Sequence, residues 1–107
     1  MTYDVAITNR AERHLKSAAA WIAVRAPTAA QRWFDKFIER LLTLRHNPQR
    51  CGVARENDLF PYELRELLYG RRRSYRALFT IRDRTVVVLA IWHSARRDFT
   101  PDDLLGD

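Results

Sequence analysis

Residues Leu64 to Arg97 read LRELLYGRRRSYRALFTIRDRTVVVLAIWHSARR, and this stretch decides the fold. In Tyr75 to Arg82, the residues Tyr75, Ala77, Phe79 and Ile81 alternate with Arg76, Leu78, Thr80 and Arg82, the period of a pleated strand with one drier face. Thr85 to His93 is a nearly unbroken run of β-branched and aromatic residues, which predicts a strand covered on both faces. Arg82-Asp83-Arg84 between them suits a tight hairpin. Leu64 to Tyr69 supplies a third, weaker strand, and Gly70 opens its turn into Arg71-Arg72-Arg73. Links this short cannot cross over, so the three strands form an antiparallel meander. The stretch also holds nine arginines against only Glu66 and Asp83, a balance of +7, which predicts a charged working surface built on a sheet.

Upstream, Tyr3, Val5 and Ile7 alternate with Asp4, Ala6 and Thr8 to give a first strand. Asn9 is positioned as an N-cap with Glu12 completing a capping box, so a helix is predicted from about Arg10. Its apolar stripe is Ala11, Leu15, Ala18 and Ile22, widened by Ala19 and Trp21. Pro27 ends it, because Ala26 is pushed out of the helical region by the ring that follows. Thr28 and Gln31 repeat the capping pattern for a second helix with the stripe Ala30, Phe34, Phe37, Ile38, Leu41 and Leu44. Asn47 is placed for a left-handed cap, and Pro48 forbids continuation. The two helices fold back as a hairpin whose apolar side needs a sheet to cover. Trp21 and Trp33 are expected to pin this hairpin, and Trp92 the sheet. Gln49 to Tyr62 reads as a locally acidic loop. The tail from Asp98 to Asp107 is acidic, with Thr100 capping a short turn that opens at Pro101.

At 107 residues, with 47% hydrophobic and 30% charged residues, the chain is one compact domain, residues 1–107, and not a disordered one. Its fold class is α+β, in the order β-α-α-β-β-β, with the helical hairpin packed on a small, mostly antiparallel sheet. Net charge is +6 and the isoelectric point about 10.2, almost all from arginine, since Lys16 and Lys36 are the only lysines. Arginine is the planar, bidentate partner of phosphate and carboxylate, so an acidic polymer or acidic protein segment is the implied partner. Cys51 stands alone, so there is no internal disulfide and no thiol set for zinc; no metal or cofactor is implied. The N-terminus has no basic and apolar regions of a signal peptide and no apolar run approaches the ~20 residues of a membrane span, so a cytoplasmic protein away from any membrane is expected.

The element order, together with Asn47-Pro48-Gln49-Arg50, Leu64-Arg65-Glu66-Leu67, Tyr75-Arg76-Ala77-Leu78-Phe79 and Val88-Leu89-Ala90-Ile91-Trp92-His93, resembles the RelE/ParE superfamily of type II toxin-antitoxin toxins, also known as plasmid stabilisation proteins. The resemblance covers nearly the whole chain. It implies a toxin that arrests bacterial growth through the nucleic-acid machinery. RelE-like members cleave mRNA at the ribosome and are enzymes; ParE-like members poison DNA gyrase and are not. Both are silenced by an acidic antitoxin whose extended or helical segment wraps the toxin. By resemblance, Arg76 matches a functional arginine of the ribonucleases, Arg96 or Arg97 falls near a second, and His93 lies close to where a histidine acts. Those ribonucleases commonly carry a catalytic tyrosine in the tail, where this chain has Phe99. The long helical hairpin and the turn at Asn47-Pro48-Gln49-Arg50 look more like the ParE side.

Two readings stand for each candidate residue. Arg71, Arg72 and Arg73 either grip phosphate or form a solvated hairpin tip. Arg65 and Arg76 lie inside strands, so either they serve a ligand or they pair with Glu63, Glu66 or the acidic tail. For mRNA cleavage, Arg76 and Arg96 or Arg97 would stabilise the phosphorane while His93 serves as acid or base. Binding of nucleic acid or a partner would draw on Arg65, Arg71, Arg72, Arg73, Arg76 and Arg97. Tyr69 and Tyr75 either stack on bases or pack across the strands. His14 and His46 are expected at the surface. A different class remains open, a non-toxic basic RNA-binding or protein-interaction domain of the same fold.

Overall fold

The computed structural model describes residues 1–105, so the tail carboxylate of Asp107 lies outside the described residues. The elements are β1 (Asp4–Ile7), α1 (Asn9–Arg25), α2 (Pro27–Leu42), β2 (Arg65–Tyr69), β3 (Tyr75–Arg82) and β4 (Thr85–His93), with short 3-10 turns in the connections. The sheet order is β1-β4-β3-β2. The meander is antiparallel as read from its short links, and β1 pairs in parallel with β4, from Asp4 opposite Thr85 to Ile7 opposite Val88.

The β3-β4 hairpin explains the unbroken apolar run. Register passes from Leu78 opposite Ala90 to Phe79 opposite Val88, so Leu89 is the extra residue of a bulge. A bulge shifts the alternation by one. Val86 and Val88 therefore face the helices before it and Ile91 after it, while Ala90 and Trp92 turn to the opposite face. Asp83 takes the left-handed conformation, φ 55°, at the hairpin turn.

Helix α2 lays the heavier stripe on the sheet. Ala30, Phe37 and Leu41 are buried; Phe37, Leu41 and Leu44 of the following turn pack in one core with Leu67, Ala77 and Phe79. Asn47 is left-handed at φ 46° and Pro48 opens the next short turn, both as the sequence implies.

The caps differ from expectation. Thr8, not Asn9, caps α1: its Oγ1 accepts the Ala11 N–H at 3.1 Å and donates to the Val88 carbonyl at 2.9 Å, so one hydroxyl hands the chain from sheet to helix. Glu12 then faces solvent and pairs with Lys16 at 2.8 Å. Thr28 caps nothing, because α2 already begins at Pro27, whose missing N–H is harmless at the first helical position. One proline thus ends α1 and opens α2.

Trp21 does not pin the hairpin. It is 61% exposed with the Arg25 guanidinium 4.2 Å over its ring, because the second half of α1 buries no residue. Trp33 packs on Phe37, Tyr69 and Tyr75 of the main core instead. His14 is also no free surface group: its Nδ1 accepts the Ile91 N–H at 3.2 Å, satisfying β4 beyond the point where β1 ends.

The largest departure concerns the far face of the sheet. Arg76, Leu78 and Thr80 are 2%, 0% and 3% exposed, so β3 has two dry faces instead of one. The loop before β2 and the tail cover it with a second core of Ala54, Phe60, Leu64 and Phe99 against Leu78, Ala90 and Trp92. Phe99 stacks on Phe60 with ring centres 5.6 Å apart and meets Trp92 edge-on at 5.0 Å.

Leu41 is fully buried where α2 meets the sheet, so Leu41→Ala is expected to lower stability by about 2 to 5 kcal/mol. Urea denaturation checks this; an unchanged midpoint would place Leu41 outside the core.

Candidate functional site

Arg76 is held by carboxylates on both sides. Its Nη1 and Nη2 donate to the two oxygens of Glu56 at 2.8 and 2.6 Å, and Nη1 also reaches Glu66 at 3.0 Å. Glu56 is 1% exposed and its second oxygen accepts the Phe99 N–H at 3.0 Å. Burial alone would push the Glu56 carboxyl up, but the Arg76 guanidinium and the Phe99 amide together hold it below its ordinary 4.5. The hydrogen bonds that Arg76 donates to Glu56 outweigh burial, and its pKa is raised. Its Nε is buried without a partner among the described residues. Arg76 is therefore withdrawn from solvent, and an incoming phosphate could reach it only by displacing two glutamates.

Arg65 is likewise turned inward. It donates to Glu63 at 2.8 Å and to the carbonyls of Gln49 and Cys51, strapping the loop to β2. The pairing reading holds for both strand arginines, with Glu56 as the partner that the sequence did not reveal.

The remaining basic residues separate into two ends. Arg82 ends β3 and Arg84 follows in the hairpin turn, with the Arg82 guanidinium 5.6 Å from the Tyr62 ring centre. An eight-residue strand separates them by roughly 25 Å from the other end. There, Gly70, at φ 87°, turns β2 into Arg71, Arg72 and Arg73, all exposed. Ser94 ties this turn to the end of β4 by donating from its hydroxyl to the Arg73 carbonyl at 2.6 Å and from its N–H to the Ser74 carbonyl at 2.8 Å. The structure thereby brings Arg71 to Arg73, His93 and Arg96 to one rim, while Arg65 and Arg76 stay outside it.

Within the rim, His93 is exposed and its Nδ1 accepts the Ala95 N–H at 3.0 Å, which puts the proton of the neutral ring on Nε2. Tyr75 stands edge-on to it at 5.0 Å. The Arg96 guanidinium lies 3.7 Å over Trp92. Arg97 is paired with both oxygens of Asp103 at 2.7 and 2.9 Å, which holds that carboxyl far below the usual carboxylate range. The Tyr69 hydroxyl donates to the Trp33 carbonyl at 3.1 Å and Tyr75 packs on the Trp33 ring, so both tyrosines pack the sheet against α2. Chemically, the rim offers exposed guanidinium groups and one imidazole to an anionic partner. No group of three or more His, Cys, Asp or Glu side chains among the described residues is placed to hold a metal, and none of their helices is long and apolar enough to cross a membrane.

Sequence reasoning missed Glu56, Arg40 and Arg50. A strand arginine flanked by core residues demands a buried carboxylate, and that demand was the available signal for Glu56. Arg40 and Arg50 gave no signal, because each acts on backbone carbonyls that only the tertiary fold brings near: Leu68 for Arg40, and Thr43, His46 and Asn47 for Arg50.

A helical hairpin on a four-stranded mixed sheet is consistent with the ParE-like fold. A family model described as the ParE toxin of the type II toxin-antitoxin system, parDE, matches residues 5–98, and the chain belongs to that family. It is the toxin of such a module, and its partner is an antitoxin. A solved structure of the chromosomal ParDE TA system from P. aeruginosa shares the fold, with a TM-score of 0.70 and 19% identity, over 86% of this chain and 96% of that one. No curated protein matches the sequence.

Cutting Glu56 back to alanine takes the two-oxygen partner from the buried Arg76 and leaves Glu66 alone beside it, an effect of about 3 to 5 kcal/mol when one member of a buried pair is lost. Acid should act the same way. The Glu56 carboxyl is depressed on folding, so its contribution is fully present above pH 4.5 and is lost as pH falls through the lower folded value. Urea midpoints measured between pH 7 and pH 3 should therefore fall for wild type and lose that part of their pH dependence in Glu56→Ala.

Proposed function

We propose that this toxin arrests growth by binding DNA gyrase through surface complementarity, and that it does not cut mRNA. The observation that carries this reading is the burial of Arg76 between Glu56 and Glu66. Transfer at phosphorus needs fixed positive charge aimed at the reacting oxygens, and Arg76 is aimed at glutamates instead. The tail supports the same view. Phe99 has no hydroxyl and is fully buried in the second core, so the tail position of the ribonucleases' tyrosine is occupied here by a packing residue. His93 and Arg96 remain at the rim, one acid-base group and one cation held on an aromatic face, fewer than a cleavage step requires.

An acidic antitoxin fits the exposed arginines by charge, and Arg71 to Arg73 are the side chains freest to meet it. Long-range attraction of this kind acts mainly on the association rate.

Induction of the chain without an antitoxin, followed for transcript integrity and DNA supercoiling, tests the target. The expected result is loss of gyrase supercoiling and DNA damage while transcripts stay whole, with His93→Ala and Arg96→Ala each retaining growth arrest. Rapid ribosome-dependent transcript cleavage abolished by His93→Ala would move the protein to the ribonuclease branch. Charge reversal at Arg71, Arg72 and Arg73 should slow antitoxin association and flatten its salt dependence without shifting the urea midpoint.

A further inference from the structure

The turn between β2 and β3 carries arginine where its backbone favours other residues. Arg72 and Arg73 both lie in the left-handed region, at φ 57° and φ 55°, and the Arg71 carbonyl accepts the Ser74 N–H at 3.2 Å across them. Two central residues at positive φ are the demand of a type I′ turn, which Asn-Gly meets without strain and arginine does not. Strain of this kind persists where the residues that bear it are used. The turn is also held still, because Ser94 donates to the Arg73 and Ser74 carbonyls and the Arg73 N–H reaches the Gly70 carbonyl at 3.0 Å.

What this turn displays is charge alone. Arg71, Arg72 and Arg73 are exposed and have no side-chain partner among the described residues, and Arg96 lies on the same rim across the Trp92 ring. From Leu67 to Arg97 the one carboxylate is Asp83, at the opposite end of β3. No aromatic face stands open for a base. Trp92 is buried with Arg96 over it, Tyr75 meets Trp33 and His93 edge-on, and Tyr69 stacks on Phe37. Binders of single-stranded nucleic acid use such faces, whereas a duplex keeps its bases stacked and offers its phosphates. A rigid cluster of guanidinium groups, with neither a stacking face nor an apolar anchor among them, matches that backbone.

We infer that the turn Arg71-Arg72-Arg73, together with Arg96, is a contact for the phosphate backbone of duplex DNA, so that the toxin touches the DNA as well as the enzyme that handles it. The choice of duplex DNA rests on the gyrase reading and deepens it by giving the rim its own ligand. Contact through phosphates carries no sequence preference and weakens steeply with salt.

The test is fluorescence anisotropy of a short labelled DNA duplex with the full chain, titrated over a range of salt. Four arginine-phosphate contacts predict that log K falls against log salt with a slope of about 3 to 4. Arg72→Asn with Arg73→Gly relaxes the turn, so its urea midpoint should stay at or above wild type while the slope drops by about 2 and affinity by about tenfold or more. Should that variant fail to fold, Arg71→Ser alone should lower the slope by about 1. Arg82→Ser with Arg84→Ser removes the same charge from the other end of β3 and should leave the slope as in wild type. An equal loss from both ends, tighter binding of single-stranded DNA or RNA, or competition by polyglutamate as effective as that by unlabelled duplex would overturn the inference. Gyrase supercoiling is read separately, and the Asn-Gly variant should need about tenfold more protein for the same inhibition, matching its lost affinity. Equal potency would remove the DNA contact and leave the gyrase reading standing. Duplex binding through Arg71 to Arg73 by a chain that never inhibits gyrase would remove the gyrase reading and leave the contact.

Discussion

The buried contact between Arg76 and Glu56 joins parts of the chain that nothing else ties so firmly. Arg76 comes from the middle of the sheet, Glu56 from the loop before β2, and Glu56 in turn holds the Phe99 amide of the tail. Glu66 adds the neighbouring strand. A charge pair taken out of water costs several kcal/mol per ion, and only near-complete hydrogen bonding offsets that. Here both glutamate oxygens and both terminal guanidinium nitrogens are satisfied, leaving Nε as the one shortfall. With this clamp in place, Phe60 and Phe99 close over Leu78, Ala90 and Trp92 of the far face, and a sheet that helices cover on one side becomes dry on both.

The same clamp changes how the positive charge is to be counted. The stretch from Leu64 to Arg97 is strongly basic as sequence, yet Arg65 and Arg76 face inward and Arg97 is matched by Asp103. Arg82 and Arg84 sit at the opposite end of β3 from Arg71 to Arg73 and Arg96. The exposed arginines of this stretch therefore gather at the two ends of β3 and do not make one continuous surface. Such a distribution suits recognition of an acidic protein segment, where register and charge both matter, better than fixation of a reacting phosphate.

The fold was legible wherever a local pattern carried its own physical cause. Tyr75 to Arg82 and Thr85 to His93 were readable end to end from alternation and β-branched content, Asn47 from the proline that follows it, and the Thr100 turn from its cap and proline. Features set by distant contacts were not. Thr8 outcompetes Asn9 as a cap because β4 supplies a carbonyl to its hydroxyl, and Trp21 is exposed because the distal half of α1 buries nothing. The candidate site was legible in residue type only. An arginine in a strand looks alike whether it awaits a phosphate or a glutamate, and an acidic residue between Gly52 and Pro61 gives no sign that it will be buried.

If Arg76 is a clamp and not a catalytic group, then its charge is dispensable once Glu56 is neutralised with it. The combined variant Arg76→Met with Glu56→Gln keeps an acceptor for the Phe99 amide and removes both buried charges, a replacement that proteins tolerate far better than loss of one partner. Growth arrest by this variant, compared with wild type at matched amounts of folded protein, is the most direct measurement. The clamp account predicts that arrest and gyrase inhibition persist; a variant that folds with a wild-type urea midpoint yet no longer arrests growth would contradict it.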